Sequence, residues 1–479
     1  MLFRSFLFLL AFHLMQLLVE EGGEEHERTW NAIAAALMVT LGMELIDYVH
    51  LFSRLIHGST SEVLSVWTRP VNPITGALFL FTFLCLLWQS IRKESWEYSI
   101  VAGVTLGLSF GYIFSLGTGL SVLGILVIFA LFARDYARIK KFFTILFIGT
   151  IIPLIYWINI LPQLTKGDDL AGRSGLLLIH TPLFNKVLLA TFVLCGALLT
   201  YAYQKHEIRI WKQREKHLPI WFSLALIFGS IFALNQQILT GRAIWPYHFV
   251  QYTVPLAMIS VYIFAFFLFR PFFPRTWMMF IGASITVCMV FSTLNAGTFV
   301  FRMKDFRQLQ DLSPIFSWLN ANAPKDCVVL TSEDSLETLT GLIPGFTTCN
   351  TYVSSYLGGS MPMERVYHNF FTKLRLHGIT NATIMENLTE KNDEAPKMYF
   401  YKDWIELLSP NKDPRIEKTF PDLTMKYELF LKEDFEKELR RYRIDYIISR
   451  GELNTEAVRS LPTLQPVFTS GSTTIYALK

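Results

Sequence analysis

Charge is what this chain has least of. Only 17% of its 479 residues are Asp, Glu, Lys or Arg, against about a quarter in an ordinary soluble protein. An ordinary soluble enzyme is therefore excluded. Cysteine is scarce too: Cys85, Cys195, Cys288, Cys327 and Cys349 make an odd five with no CxxC spacing, so neither a zinc ribbon nor a disulfide-stapled scaffold is indicated. No GxGxxG or GxxxxGK[ST] phosphate loop occurs, and nucleotide binding has no support. There is no basic stripe, and the net charge of +4 gives no reason to expect a nucleic-acid partner.

The shortage of charge is confined to one part of the chain. Residues 1–300 carry 36 charged residues, about 12%, whereas residues 301–479 carry 46, about 26%. That division predicts an α-helical multi-pass membrane domain over 1–302 and a soluble α/β domain over 303–479. About 20 apolar residues are needed to cross the hydrocarbon core. About ten segments meet the need, near 2–19, 31–48, 74–91, 98–116, 119–134, 142–161, 183–203, 219–237, 249–269 and 276–298. The fourth and fifth are short and close, which suggests a tight hairpin.

Lysines and arginines of short loops stay on the cytoplasmic side. Arg134, Arg138, Lys140 and Lys141 follow the fifth segment, a run from Lys205 to Lys216 follows the seventh, and Arg270 and Arg275 follow the ninth. The alternate loops are poorer, so the C-terminal domain is expected outside the cytoplasm. Ten crossings would then put Met1 outside as well. A hydrophobic segment directly after an outer Met1 is unusual, which points to a missing upstream portion or a count off by one.

In the soluble part, helices are expected at 309–322, 335–342, 363–378 and 433–443. Strands are expected at 327–331, 347–353, 445–449, 466–470 and 473–479, several of them parallel. Residues 390–422 read as a polar, Pro-containing connection. Cys327 and Cys349 are the only pair in this domain that could join, and their spacing does not require it. The sequons at Asn381 and Asn387 have meaning only in a glycosylating host.

Polar groups inside or at the ends of membrane helices cost free energy and therefore mark candidate sites. Glu44 and Asp47, at i,i+3 with His50 one turn on, share a helical face. There a carboxylate can act as base or hold a divalent cation, though a hydrated helix end is the plainer reading. Asp168 and Asp169 sit in a loop with Arg173, suited to a cation or to activating a hydroxyl; a solvated turn beside Gly167 is the plainer reading. Arg69, in Arg69-Pro70-Val71-Asn72-Pro73, can reach a lipid phosphate or merely snorkel. Richest is NQQILTGRAIWPYHF at 235–249. Asn235, Gln236 and Gln237 end an apolar helix, and so many amides need partners, which implies a wet cavity with Arg242 and His248 beside it. Arg242 has the fork geometry that suits phosphate. A metal held jointly by His50, His180 and His248 has no support in their spacing.

These residues carry a resemblance. The many helices before an α/β domain, the segment NQQILTGRAIWPYHF, and the C-terminal WLNANAPKDCVVLTSE and RIDYIISRGEL with VFTSGSTTIYALK together resemble the GT-C superfamily of polytopic glycosyltransferases, in particular its uncharacterised prokaryotic members. The resemblance implies transfer of a sugar from a polyprenyl-phosphate carrier to a glycan, lipid or protein acceptor on the outer face of the cell membrane. It also implies an acidic base or metal partner just after the first helix. Here Glu20-Glu21 follows the first segment on the inner side, and Glu44 and Asp47 are the nearest substitutes. Two other classes compete. One is a transporter of a lipid-linked glycan, for which no internal repeat is seen; the other is a non-catalytic membrane scaffold with an outside binding domain.

Overall fold

The computed structural model describes residues 2–42, 67, 73–164, 176–205, 217–332, 339–352, 362–384, 414–451, 453–454 and 459–478. The chain forms two compact units: Met1–Pro162 with Leu178–Phe301, and Gln163–Leu177 with Arg302–Lys479.

The first unit is helical because its sequence is long apolar runs, which can satisfy their backbone groups in a bilayer only within the helix itself. Its helices are α1 (Leu2–Val19), α2 (Glu25–Leu41), α3 (Ile74–Arg92), α4 (Glu97–Leu108), α5 (Ile113–Phe132), α6 (Tyr136–Leu164), α7 (Lys186–Gln204), α8 (Leu218–Leu234), α9 (Pro246–Phe264) and α10 (Pro274–Gln310). Among the described residues seven spans are long and apolar enough to cross a membrane: in α1, α3, α5, α6, α7, α9 with its π-helical continuation Ala265–Phe269, and α10. Helices α2, α4 and α8 are shorter. A 3-10 turn, Ser109–Gly111, makes α4 and α5 the expected hairpin.

The span within α9 is 78% buried and those of α6 and α7 only 22%, so α9 is central and α6 and α7 line the outside. Helix–helix contact is close where a glycine allows it. A Cβ on Gly229 of α8 would lie 2.7 Å from the Val122 Cα of α5, and one on Gly103 of α4 would lie 2.8 Å from Ile148 of α6.

The charged loops gather at one end. Arg92 pairs with Glu21, Arg270 with Glu27 at 2.9 Å, and the Lys141 ammonium donates to the carbonyls of Ser90 (3.1 Å) and Lys93. Glu20 and Glu21 therefore lie at the basic end, as their position after the first apolar segment implies. Pro73, Tyr112, residues 178–185 and the turn after α8 lie at the other end, since the helices between them alternate in direction.

The second unit carries α11 (Ser313–Asn322), β1 (Val328–Thr331), α12 (Leu339–Phe346), β2 (Asn350–Thr351), α13 (Met363–Leu376), α14 (Pro414–Lys432), α15 (Phe435–Arg440), β3 (Tyr446–Arg450), β4 (Leu464–Ser470) and β5 (Thr473–Leu478). The sheet order is β2-β1-β3-β5-β4. The β1 pairings with β2 and β3 are parallel, as expected for strands joined by helical crossovers. The last two strands depart from a parallel reading: β5 is antiparallel to both β3 and β4. A two-residue turn, with Gly471 at φ +59°, joins β4 to β5, and so short a link permits only a hairpin.

One face of the sheet is packed by α11 and α12 through Ile315, Leu319 and Ile343 with Val329 and Ile448. The other is packed by α13, α14 and α15 through Phe370, Tyr427 and Leu439 with Leu330 and Ile447. Cys327 and Cys349, just ahead of β1 and β2, are joined as a disulfide. Helix α14 occupies the end of the stretch read as a polar connection, where Leu423, Tyr427 and Phe430 supply a buried stripe at helical spacing.

Candidate functional site

At the end of the helical unit opposite the basic loops, α8 runs out at Leu234 into the amide-rich turn. The Asn235 Oδ1 accepts from the Leu183 N–H at 2.7 Å, and its Nδ2 donates to the Ile231 carbonyl at 3.0 Å. Gln237 is 1% exposed and its Nε2 donates to the Thr181 carbonyl at 3.1 Å. The Gln236 Nε2 donates to the Arg242 carbonyl at 2.8 Å, while its Oε1 accepts from the Thr240 hydroxyl, also at 2.8 Å. The three amides thus bind the turn to itself and to residues 181–183. Asn235 and the Gln236 Nε2 bond backbone here, because a chain leaving an apolar helix exposes carbonyls and N–H groups that need partners.

What the turn presents is Arg242. It begins the short strand Arg242–Ile244 after Gly241, whose φ of +66° closes the helical turn Gln237–Thr240. A Cβ at Gly241 would lie 2.9 Å from the His180 ring, so glycine is required on two counts. The Arg242 side chain is exposed, and its guanidinium makes no hydrogen bond or ion pair among the described residues.

Three residues on, Trp245 adopts φ +38°, ψ +63° directly before Pro246. A bulky residue with positive φ is strained, a proline after it restricts it further, and such strain gathers at functional sites. It sets the indole 5.2 Å from the His248 ring, which stacks at 5.0 Å and 24° on Phe114 of α5. Phe249 meets Phe114 edge-on at 5.1 Å. The platform is braced from below: the Tyr252 hydroxyl donates to the Pro73 carbonyl at 3.2 Å, and the Ser115 hydroxyl donates to the Gly76 carbonyl at 2.7 Å. Sequence reasoning singled out Arg242 and His248 but missed Trp245 and Phe114, whose signal was the aromatic clustering typical of a membrane interface.

Glu44, Asp47, His50, Arg69, Asp168 and Asp169 lie outside the described residues. Helix α2 leads into the first of these segments from Gly42, and the chain re-emerges at Trp67, whose indole N–H donates to the Val39 carbonyl at 2.8 Å. Asp168 and Asp169 precede residues 179–183, which bond the amide turn. No group of three His, Cys, Asp or Glu is placed to hold a metal among the described residues.

The second unit has a buried polar group that the sequence did not suggest. His368, 3% exposed, shares a hydrogen bond between its Nδ1 and the Tyr352 hydroxyl at 3.1 Å. Its Nε2 is 2.8 Å from the Glu438 carbonyl and 3.4 Å from the Glu438 carboxylate. Burial lowers the imidazole pKa, against the opposing pull of Glu438, and burial raises that of the Tyr352 phenol. Arg365 lies over both Tyr352 and Tyr442, at 4.4 and 3.5 Å from the ring centres. A neutral imidazole linking a phenol to a backbone carbonyl fastens α13 to the helix that carries Glu438.

Compared with known proteins, the chain matches no protein-family model and no curated protein.

Proposed function

We propose that this protein is a membrane glycosyltransferase that transfers a sugar from a polyprenyl-phosphate donor to an acceptor outside the cytoplasm. The observation that carries the reading is an exposed Arg242, its guanidinium without a hydrogen bond or ion pair among the described residues, three positions before the Trp245 of the Trp245–His248–Phe114 stack. A guanidinium fork suits the donor phosphate, and an aromatic platform suits the apolar face of a sugar ring. Departure of the lipid phosphate leaves negative charge that Arg242 stabilises, with Arg69 as a second cation. A carboxylate, Asp47 or Asp168, takes the proton of the acceptor hydroxyl. Glu44 and Asp169 are the adjacent acids, able to share that role or to hold a divalent cation. The exterior placement draws support from the lysine and arginine bias of the alternate loops and from the Cys327–Cys349 disulfide, since such bonds persist in oxidising compartments. The C-terminal domain then recognises the acceptor.

The test is transfer of a labelled lipid-linked sugar by the purified full-length chain. Arg242→Ala and Asp47→Asn each abolish transfer while membrane insertion is kept, and Arg242→Lys retains a small part because it keeps the charge but not the fork. Full activity in both of the first two variants removes these assignments. Movement of labelled lipid across vesicles without sugar transfer selects the transporter reading instead.

A further inference from the structure

Helix α11 and the sheet of the second unit are joined by apolar side chains over only part of their length. Residues directly opposite in antiparallel strands share a face, so the register sets two successive rows on the face that α11 covers. The inner row is Ile448 of β3, Ile475 of β5 and Phe468 of β4. It is packed, with Trp318 of α11 stacked on Phe468. The outer row, two residues further along each strand, is Arg450, Thr473 and Ser470, and it is polar throughout. That row and the start of α11 border a cavity of about 650 Å³, within the range of about 300–1,000 Å³ usual for a small-molecule site.

The wall is rich in groups that both give and take hydrogen bonds. Ser313, Ser317, Ser470 and Thr473 present hydroxyls, beside the Asp311 carboxylate and the Arg450 guanidinium. No side chain caps the N-terminus of α11. Thr473 is 3% exposed, and its hydroxyl has no hydrogen-bond partner among the described residues. A buried polar group left in that state is costly, and the space it borders is the cavity. Arg450 engages another group as well, but a guanidinium carries five N–H donors.

The balance of these groups selects the ligand. Arg450 is offset by Asp311 in the lining, and the sequence just beyond it adds Glu452 and Glu456, which lie outside the described residues; an anion finds no excess of positive charge. No aromatic ring lines the cavity among the described residues, so a flat apolar molecule has nothing to stack on. Strands β3 and β5 have neighbours on both sides, and a peptide backbone is offered no open edge there. The wall matches a neutral molecule whose polar groups are hydroxyls, each able to donate to the carboxylate or accept from the guanidinium.

We propose that this cavity binds a neutral saccharide, with hydroxyls donating to Asp311, accepting from Arg450 and satisfying Thr473. As recognition of the acceptor it rests on the proposed sugar transfer; as a glycan-binding site in the second unit it does not.

The experiment is saturation-transfer NMR on the full-length chain in a detergent without a sugar headgroup, read at the anomeric proton of the methyl glycosides of glucose, galactose, mannose and N-acetylglucosamine. At least one should bind. Asp311→Ala should raise its half-saturating concentration about tenfold, the share of one hydrogen bond to a charged group, and Thr473→Val about fivefold. Thr473→Val should melt no lower than the unaltered chain, because the hydroxyl it removes has no partner within the fold. Arg242→Ala should leave this binding unchanged, which separates failure here from failure of the proposed function. Absence of contact with all four glycosides overturns the proposal, as does a lower melting temperature in Thr473→Val. So does binding that is lost in Arg242→Ala but kept in Asp311→Ala and Thr473→Val. Displacement of the glycoside by an equal concentration of inorganic phosphate or of triglycine also overturns it, and assigns the cavity to an anion or a peptide.

Discussion

The Cys327–Cys349 disulfide allows the soluble domain and its compartment to be tested with one pair of substitutions. The bond spans 22 residues of chain and ties the entry to β1 to the entry to its parallel neighbour β2. Both thiol positions are almost wholly buried, at 0% and 2% exposure, and α12 lies between them in sequence. Closing a loop of that length removes conformational freedom from the unfolded chain worth about 3 kcal/mol. For a domain of this size, losing that much lowers the melting temperature by roughly 7–12 °C. The double variant Cys327→Ala, Cys349→Ala should show this drop in the second unit, followed by limited proteolysis or thermal denaturation of the full chain in detergent, and should leave the helical unit folded. The same pair reports location. Cys85, Cys195 and Cys288 lie outside any disulfide and are buried in the helical unit, so a membrane-impermeant maleimide applied to intact cells should label nothing before reduction and two thiols after reduction and mild denaturation. Three results refute the reasoning: two reactive thiols in the domain before reduction, labelling that needs permeabilised cells, or a double variant that melts unchanged.

Other outcomes follow from the same geometry. Gly229→Ala forces a methyl group to within 2.7 Å of the Val122 backbone, and the overpacking should cost about 1–3 kcal/mol, read as reduced thermal stability in detergent; an unchanged melting curve would show that α5 and α8 do not pack so closely. His368 is held below its ordinary pKa mainly by burial, with Tyr352, Glu438, Arg365 and Arg441 as the groups around it. The unfolded chain therefore binds a proton there before the folded one does. Stability of the second unit should be complete above about pH 6.5 and decline as pH falls from there toward the folded-state value. His368→Gln should flatten that slope, and a slope unaltered by the substitution would assign it to other groups.

The reading of the first unit from sequence succeeded where the controlling physics is local. A run such as 74–91 must become a helix in an apolar medium whatever its neighbours do, because no other form pairs its backbone groups. Helix α3 occupies Ile74–Arg92 accordingly. Strands β1 and β3 were legible for a similar reason, as short apolar runs with polar punctuation. Helix α14 was not, since Pro421 and a polar flank hide the stripe of Leu423, Tyr427 and Phe430 that packs it.

The candidate site was half legible. Arg242 and His248 stand out as polar groups beside apolar helices, and that signal needs only the sequence. Tertiary contacts decided what they do. Asn235 meets Leu183, 52 positions away, and Gln237 meets Thr181, so these amides hold the backbone of the turn, while Arg242 is exposed. The left-handed backbone of Trp245 and of Arg134 has no signature in residue type, since both occupy a conformation their side chains disfavour. Cys327 and Cys349 likewise become partners only because two parallel strands start side by side. Hydropathy fixes which segments leave water, because transfer free energy belongs to each residue. Which polar group meets which depends on surfaces brought together from distant parts of the chain, and only the folded structure determines that.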